Sequence, residues 1–154
     1  MQLPQVLAPI EAMLGGGFWL SSFTASLLSS NSTHGSLHVD VPNPMLPTPR
    51  PQWAVSANAV IPLQDYKVDN GATRAIPGSH RTELVRLPLR NESYWQQTVS
   101  FEAPVGSVLF INGAVWHGAG SNVVNTERAA LLIFFNRIFI RPQVLPHAHA
   151  SPIR

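Results

Sequence analysis

Apolar residues in this chain come in short runs separated by turn-forming residues, and only one run has helical spacing. In "LAPIEAMLGG", Ile10, Met13 and Leu14 recur at i, i+3 and i+4, with Pro9 near the start and glycines behind. That pattern predicts a short N-terminal helix with a glycine stop. The remaining runs are rich in β-branched and aromatic residues, the signature of strands. Strands are predicted at roughly 18–27, 36–41, 53–61, 72–76, 94–101, 107–111 and 129–140. The last, "AALLIFFNRIFI", is apolar enough for a strand covered on both faces.

Fourteen prolines and ten glycines cut the chain into these pieces and exclude long helices. Five prolines fall between Pro42 and Gln52, so residues 41–53 form a stiff extended loop that cannot be a central strand. Residues 86–93, "RLPLRNES", read as a second connector. Many short strands joined by Pro/Gly turns predict a mainly β chain of the sandwich or jelly-roll type. With 154 residues, residues 1–154 are expected to form a single domain.

Charge narrows the function classes. The net charge of +2 comes from nine arginines and one lysine against eight acids, scattered without a basic cluster. Nucleic-acid binding therefore has no footprint. The low charged fraction, 12%, points to a partly apolar surface and a missing neighbour. The absence of cysteine excludes disulfides, zinc ribbons, Fe–S ligation and thiol nucleophiles. The longest greasy stretch, "FWLSSFTASLL" (18–28), is broken by serines, too short for a bilayer, and preceded by no Lys or Arg. A cytoplasmic protein without membrane association is the expectation, with the oligomeric state left open.

One predicted strand carries chemistry. In "SLHVDV" (36–41), His38 and Asp40 are two residues apart, so both side chains face one side of the strand. An imidazole and a carboxylate suit a metal that takes a second histidine from elsewhere. "FINGAVWHGAGSN" (110–122) offers His117, with Gly118 and Gly120 expected to let the backbone approach whatever the imidazole binds. Eleven residues on, Arg128 opens the apolar run "RAALLIFF", where a guanidinium needs an anion and its fork suits a carboxylate. Taken singly, His38 with Asp40 reads as a core pair, "HGAG" as a turn, and Arg128 as a partner of Glu127 or Glu102. In conjunction they match an Fe(II) oxygenase that uses 2-oxoglutarate.

The chain resembles the phytanoyl-CoA dioxygenase family of Fe(II)/2-oxoglutarate-dependent oxygenases, from about residue 8 to about 143. "SLHVD" is similar to the family's His-x-Asp strand, and "DYKVDNGATRAIPGSHR" (65–81) to its most characteristic segment. "GSVLFINGAVWHGAGSNVVNTERAAL" is similar to the block holding the distal histidine and the arginine. The resemblance implies a double-stranded β-helix (a cupin-like jelly roll) with Fe(II) held by His38, Asp40 and His117. It also implies that Arg128 grips the far carboxylate of the cosubstrate 2-oxoglutarate, with O2 as the oxidant and a small organic molecule as substrate. His80 is expected to be structural, and His34, His147 and His149 to be exposed. Trp116, Trp53 and Phe110 are expected in the core, with walling of the pocket as the second option.

Three departures stand out. Family members usually carry an N-terminal helical and strand region that often supplies a Lys or Asn to the cosubstrate. This sequence begins just before the first expected core strand, so that region is expected to be missing. The position two after the distal histidine commonly bears a hydroxyl, and here it is Ala119. Asn58 is the candidate replacement donor to the cosubstrate. The competing readings are a cupin-like metal enzyme without 2-oxoglutarate, and a non-catalytic or truncated jelly-roll binding protein. Substrate identity rests with loops 41–53 and 81–95, and no basic cluster for a CoA phosphate is visible.

Overall fold

The computed structural model describes residues 3–47, 49–81 and 92–144. Helix α1 (Pro4–Leu14) starts a turn earlier than the spacing predicts, because Pro4 rather than Pro9 takes the first-turn position. Pro9 lies inside the helix, and Gly15 ends it at φ 77° with its N–H on the Glu11 carbonyl. Only a residue without a Cβ adopts that φ readily.

Among the described residues seven strands follow: β1 (Phe18–Leu28), β2 (Ser56–Pro62), β3 (Thr73–Ala75), β4 (Val99–Ser100), β5 (Leu109–Asn112), β6 (His117–Ala119) and β7 (Arg128–Arg137). They form two antiparallel sheets, a four-stranded one in the order β1-β7-β2-β5 and a three-stranded one in the order β4-β3-β6. The architecture is the expected jelly roll with a short N-terminal helix. Strand β7 lies inside the larger sheet and uses its two faces differently. Ile133 and Phe135 pack with Val6, Ile10 and Leu14 of α1 and with Phe18, Ala57 and Ala59. Each large buried side chain of that layer contributes about 1.5–3 kcal/mol. Ala130 of the opposite face joins Val60, Tyr66, Ala72 and Ile111 in a second cluster. The alternation of a strand thus gives β7 a helix-covered face and a face turned toward the second core.

Two predicted strands are not strands. Residues 36–41 make only an isolated bridge, His38 with His117. Asp40 N–H instead donates to the Gly113 carbonyl at 2.8 Å, and the chain then turns through Asn43–Met45. Within 94–101, a helical turn α2 (Glu92–Trp95) precedes the two-residue β4. Conversely β6 was expected to be a turn, because glycines conceal it. Gly118 and Gly120 admit neighbouring backbone and not a ligand: an added Cβ would lie 2.8 Å from the Ser36 carbonyl oxygen and 2.9 Å from that of Ala72.

On the edge strand β1, Leu20, Phe23 and Leu27 are exposed, as a low charged fraction leads one to expect. Among the described residues no helix is long and apolar enough to cross a membrane.

Candidate metal centre

His38, Asp40 and His117 meet although 79 residues separate the histidines (117 − 38). The pairing is local and specific. His38 N–H donates to the His117 carbonyl and His117 N–H to the His38 carbonyl, both at 2.9 Å. The imidazoles lie side by side with centroids 4.5 Å apart. One potential ligand atom from each of the three residues lies within 4.8 Å of the others, and this is the one such group among the described residues.

The hydrogen bonds of the cluster point one way. His38 Nδ1 sits 3.0 Å from the Ser36 carbonyl and His117 Nδ1 2.9 Å from that of Val115. A carbonyl can only accept, so each Nδ1 carries a proton, and in the neutral imidazole each Nε2 is left with a lone pair. Those two Nε2 atoms face the same carboxylate, at 4.0 Å from Asp40 Oδ1 and 3.9 Å from Asp40 Oδ2. Asn58 on β2 donates from Nδ2 to Asp40 Oδ2 at 2.7 Å. Asn43 Nδ2 holds the Asp40 carbonyl at 2.9 Å and the Ser56 hydroxyl at 3.0 Å. The carboxylate is therefore fixed from the strand behind it and from the turn beyond it.

Burial sets the electrostatics. It pushes the Asp40 carboxyl above its usual range, against the opposing pull of His117, His38 and Asn58. It pushes His117 below its ordinary value, with His38 acting in the same direction and Asp40 and the Val115 carbonyl opposing. Both shifts reflect the cost of charge on the buried side of the cluster. Two imidazoles and a carboxylate converging there form a donor set that suits a divalent metal. The His38 side chain is 54% exposed and that of His117 only 9%, so the cluster opens to solvent on the His38 side.

Arg128, at the start of β7, is 3% exposed. Its Nη1 donates to the Tyr66 hydroxyl at 2.8 Å and its Nη2 to the Gly71 carbonyl at 2.9 Å. The guanidinium carbon lies 4.7 Å from the Tyr66 ring centroid. Neither Glu127 nor Glu102 pairs with it, and its buried Nε has no hydrogen-bond partner among the described residues. Burial pushes the guanidinium below its ordinary value, with Tyr66 opposing. A buried cation with an orphaned N–H and only neutral partners lacks the counter-charge that an anion would supply.

Other sequence expectations fare unevenly. Phe110 packs in the α1 layer. Trp53 is half exposed, lies under the Arg137 guanidinium and meets Phe139 edge to face, so it belongs to neither core nor cluster. Trp116 is buried, its N–H on the Ser79 hydroxyl. His34 is half-buried on Trp95, with ring centroids 4.2 Å apart, and not exposed as expected. His80 stands outside the cluster and lines a small cleft with Arg50, Trp53 and Asn112. His147, His149 and most of loop 81–95 lie outside the described residues. The partner missed in the sequence is Tyr66, which lies in the "DYKVDNGAT" segment just before the Asn70-Gly71 turn; a tyrosine whose buried hydroxyl needs a partner was the available signal.

A two-sheet jelly roll that brings two histidines and a carboxylate together and buries an arginine at the start of β7 has the parts expected of a non-haem metal oxygenase. The particular family follows from comparison with known proteins: the chain belongs to the phytanoyl-CoA dioxygenase (PhyH) family, whose profile matches residues 11–130. It is 33% identical over 145 residues to dioxygenase af480 of Aspergillus fumigatus, covering 90% of this chain and 44% of that protein. Dioxygenase FUM3 of Gibberella moniliformis is 31% identical over 128 residues, covering 82% and 41%. The chain thus spans less than half the length of these relatives. Among solved structures, HygX from Streptomyces hygroscopicus with nickel and 2-oxoglutarate bound superposes with TM-score 0.72 at 17% identity, covering 91% of this chain and 64% of that one. The non-haem epimerase SnoN from nogalamycin biosynthesis gives TM-score 0.71 at 22% identity, covering 98% and 63%. Both are similar in fold.

Proposed function

We propose that residues 1–154 form one domain of an Fe(II)- and 2-oxoglutarate-dependent dioxygenase that oxidises a C–H bond of a small organic molecule. The observation that carries this reading is the convergence of His38 Nε2, His117 Nε2 and the Asp40 carboxylate, with each Nδ1 tied to a carbonyl. Histidine ligands of metals characteristically engage their second nitrogen in this way. His38, Asp40 and His117 hold the metal, and Asn58 keeps the carboxylate turned toward it. Arg128 binds the C5 carboxylate of 2-oxoglutarate, which gives its orphaned Nε a partner. When bound, the metal supplies the dioxygen chemistry that converts 2-oxoglutarate to succinate and CO2 and oxidises the substrate.

Val60, Ile111, Leu132 and Val115 pack in one apolar cluster with Tyr66, the hydrogen-bond partner of Arg128, and so screen that pair from water. Arg128 separates this reading from a cupin-like enzyme without 2-oxoglutarate, because such an enzyme leaves the buried guanidinium without an anion. HygX, with nickel, 2-oxoglutarate and hygromycin B bound in its structure, supports a small-molecule substrate by analogy of fold. The cytoplasm, reducing and supplied with 2-oxoglutarate, is the compartment this reading calls for.

Anaerobic titration with Fe(II) and then 2-oxoglutarate tests it. The expected result is a weak visible charge-transfer band that develops only with both present and is lost in Asp40→Ala. A wild-type protein that binds the metal but never develops the band with 2-oxoglutarate refutes the dioxygenase reading and leaves a jelly-roll binding module.

A further inference from the structure

The segment "AIPGSHR" (75–81) ends in a turn whose histidine the metal cluster does not use. His80 is half-buried in the single 3-10 turn Ser79–Arg81, and its Nδ1 is buried with no hydrogen-bond partner among the described residues. It lines a cleft with Asn43, Arg50, Trp53, Val55 and Asn112, and neither aspartate nor glutamate is among the lining residues. Asn112 Oδ1 accepts from the Ala114 N–H at 2.9 Å, which settles the flip of the amide and keeps its NH2 as a donor. A guanidinium and an amide donor thus share the cleft with the imidazole. Burial pushes the His80 ring below its ordinary value and Arg81 acts in the same direction, so charge there is costly until an opposite charge arrives. An oxyanion is the group that such a set of donors accommodates.

Both arms of the metal cluster border this cleft. Asn43 holds the Asp40 carbonyl at 2.9 Å, and the lining residues Asn112 and Ala114 flank Gly113, whose carbonyl accepts from the Asp40 N–H at 2.8 Å. On the other arm, the hydroxyl of Ser79, the neighbour of His80, accepts at 2.9 Å from the N–H of Trp116, the residue before His117. Trp53 is the aromatic wall, kept in place by the Arg137 guanidinium 4.5 Å from its ring centroid and by Phe139 edge to face. We propose that this cleft is a substrate subsite, taking the oxyanion of a small organic acid or phosphate ester on His80 and Arg50, with the apolar part of the molecule against Trp53. The assignment rests on the dioxygenase reading above and narrows its substrate to a small anion.

The test is calorimetric titration of the Mn(II)-loaded protein, with 2-oxoglutarate present, using phenylacetate, phenyl phosphate and the neutral phenylacetamide as probes. Saturable binding of an anionic probe is expected, with phenylacetamide about tenfold or more weaker, the scale of a hydrogen bond to a charged group. The tighter of the two anions tells a carboxylic acid from a phosphate ester. Arg50→Gln and His80→Phe are each expected to weaken the anion to the level of phenylacetamide and to leave Mn(II) affinity unchanged. Arg128→Lys is expected to bind the probe like wild type, because the C5 carboxylate of 2-oxoglutarate has a separate site. Proton NMR then places the probe, whose signals are expected to broaden more in Mn(II)-loaded than in Zn(II)-loaded protein. Equal binding of all three probes overturns the subsite, as does anion binding that survives both Arg50→Gln and His80→Phe or is lost in Arg128→Lys. A probe without added broadening sits away from the metal and overturns the substrate role. Titration with 2-oxoglutarate alone separates the two readings. A protein that binds the anion but no 2-oxoglutarate keeps the subsite and loses the dioxygenase, whereas one that binds 2-oxoglutarate and no probe loses the subsite alone.

Discussion

Asn58 separates two roles by a single substitution. As a cosubstrate donor it would govern 2-oxoglutarate affinity, whereas its 2.7 Å bond to Asp40 Oδ2 makes it a support for the metal-facing carboxylate. Asn58→Ala removes one charge-assisted hydrogen bond, worth about 1.5–3 kcal/mol. Losing a residue that supports a metal ligand typically lowers metal affinity about 10–100-fold, which is about 1.4–2.7 kcal/mol. The two scales agree. Asn58 also pulls the Asp40 carboxyl down against the upward push of burial. Its loss therefore raises that carboxyl further, and protons compete better with the metal. Mn(II) affinity of the variant is expected to fall more steeply than wild type between neutral and mildly acidic pH. Calorimetry with Mn(II) at two pH values, followed by 2-oxoglutarate titration of the loaded protein, checks both statements. Unchanged Mn(II) affinity with weakened 2-oxoglutarate binding refutes the support role and restores Asn58 as a cosubstrate donor.

Asp40→Asn is expected to stabilise the chelator-treated protein against thermal unfolding at pH 7, because burial raises the native carboxyl above its unfolded value of 3.8 and so penalises the ionised form. That advantage shrinks as pH falls through the raised native value and disappears below the unfolded one, which melting curves across pH will show. Arg128→Lys keeps the charge but loses the fork, so 2-oxoglutarate binding should weaken by about 1.5–3 kcal/mol in titrations while Mn(II) affinity barely moves. Replacing Met45-Leu46 with Gly-Ser alters coupled turnover with metal affinity unchanged, since Met45 is exposed and the anchoring is done by Asn43. A loss of metal binding in that variant would show the loop to be part of the support of Asp40.

Much of this was legible in the residues, and the failures have a common cause. The jelly roll follows from strand-forming runs punctuated by proline and glycine, and the α1 layer from the spacing of Ile10 and Leu14. His38, Asp40 and His117 were recognisable as donors by type, yet the reason given for their closeness was partly wrong. A regular strand at 36–41 was inferred from alternation, whereas one reciprocal pair of backbone hydrogen bonds to His117 does that work. Strand β6 was hidden because its glycines are demanded by neighbouring carbonyls, a tertiary contact that no local pattern encodes. Tyr66 escaped notice for the same reason, since its importance comes from Arg128, which meets it across the fold. Asn58 was singled out as a donor to the cosubstrate, and the bond it makes to Asp40 Oδ2 was not legible, because a side chain's partner depends on register, and register with Asp40 is not a property of β2 alone.

The His38–His117 bridge has a consequence for how the chain holds together. Two backbone hydrogen bonds join segments 79 residues apart, at a point where the smaller sheet has no continuous ladder to His38. Binding an ion across His38, Asp40 and His117 closes that loop as a cross-link would. An ion held only by the folded chain stabilises it by mass action, by about 2.7 kcal/mol at a hundred times its Kd. A chain without a single cysteine thereby gains a removable staple. Amide hydrogens of residues 36–40 and 113–119 should then exchange as one unit, slowly with metal and quickly without it, linking the local opening of the site to its occupancy.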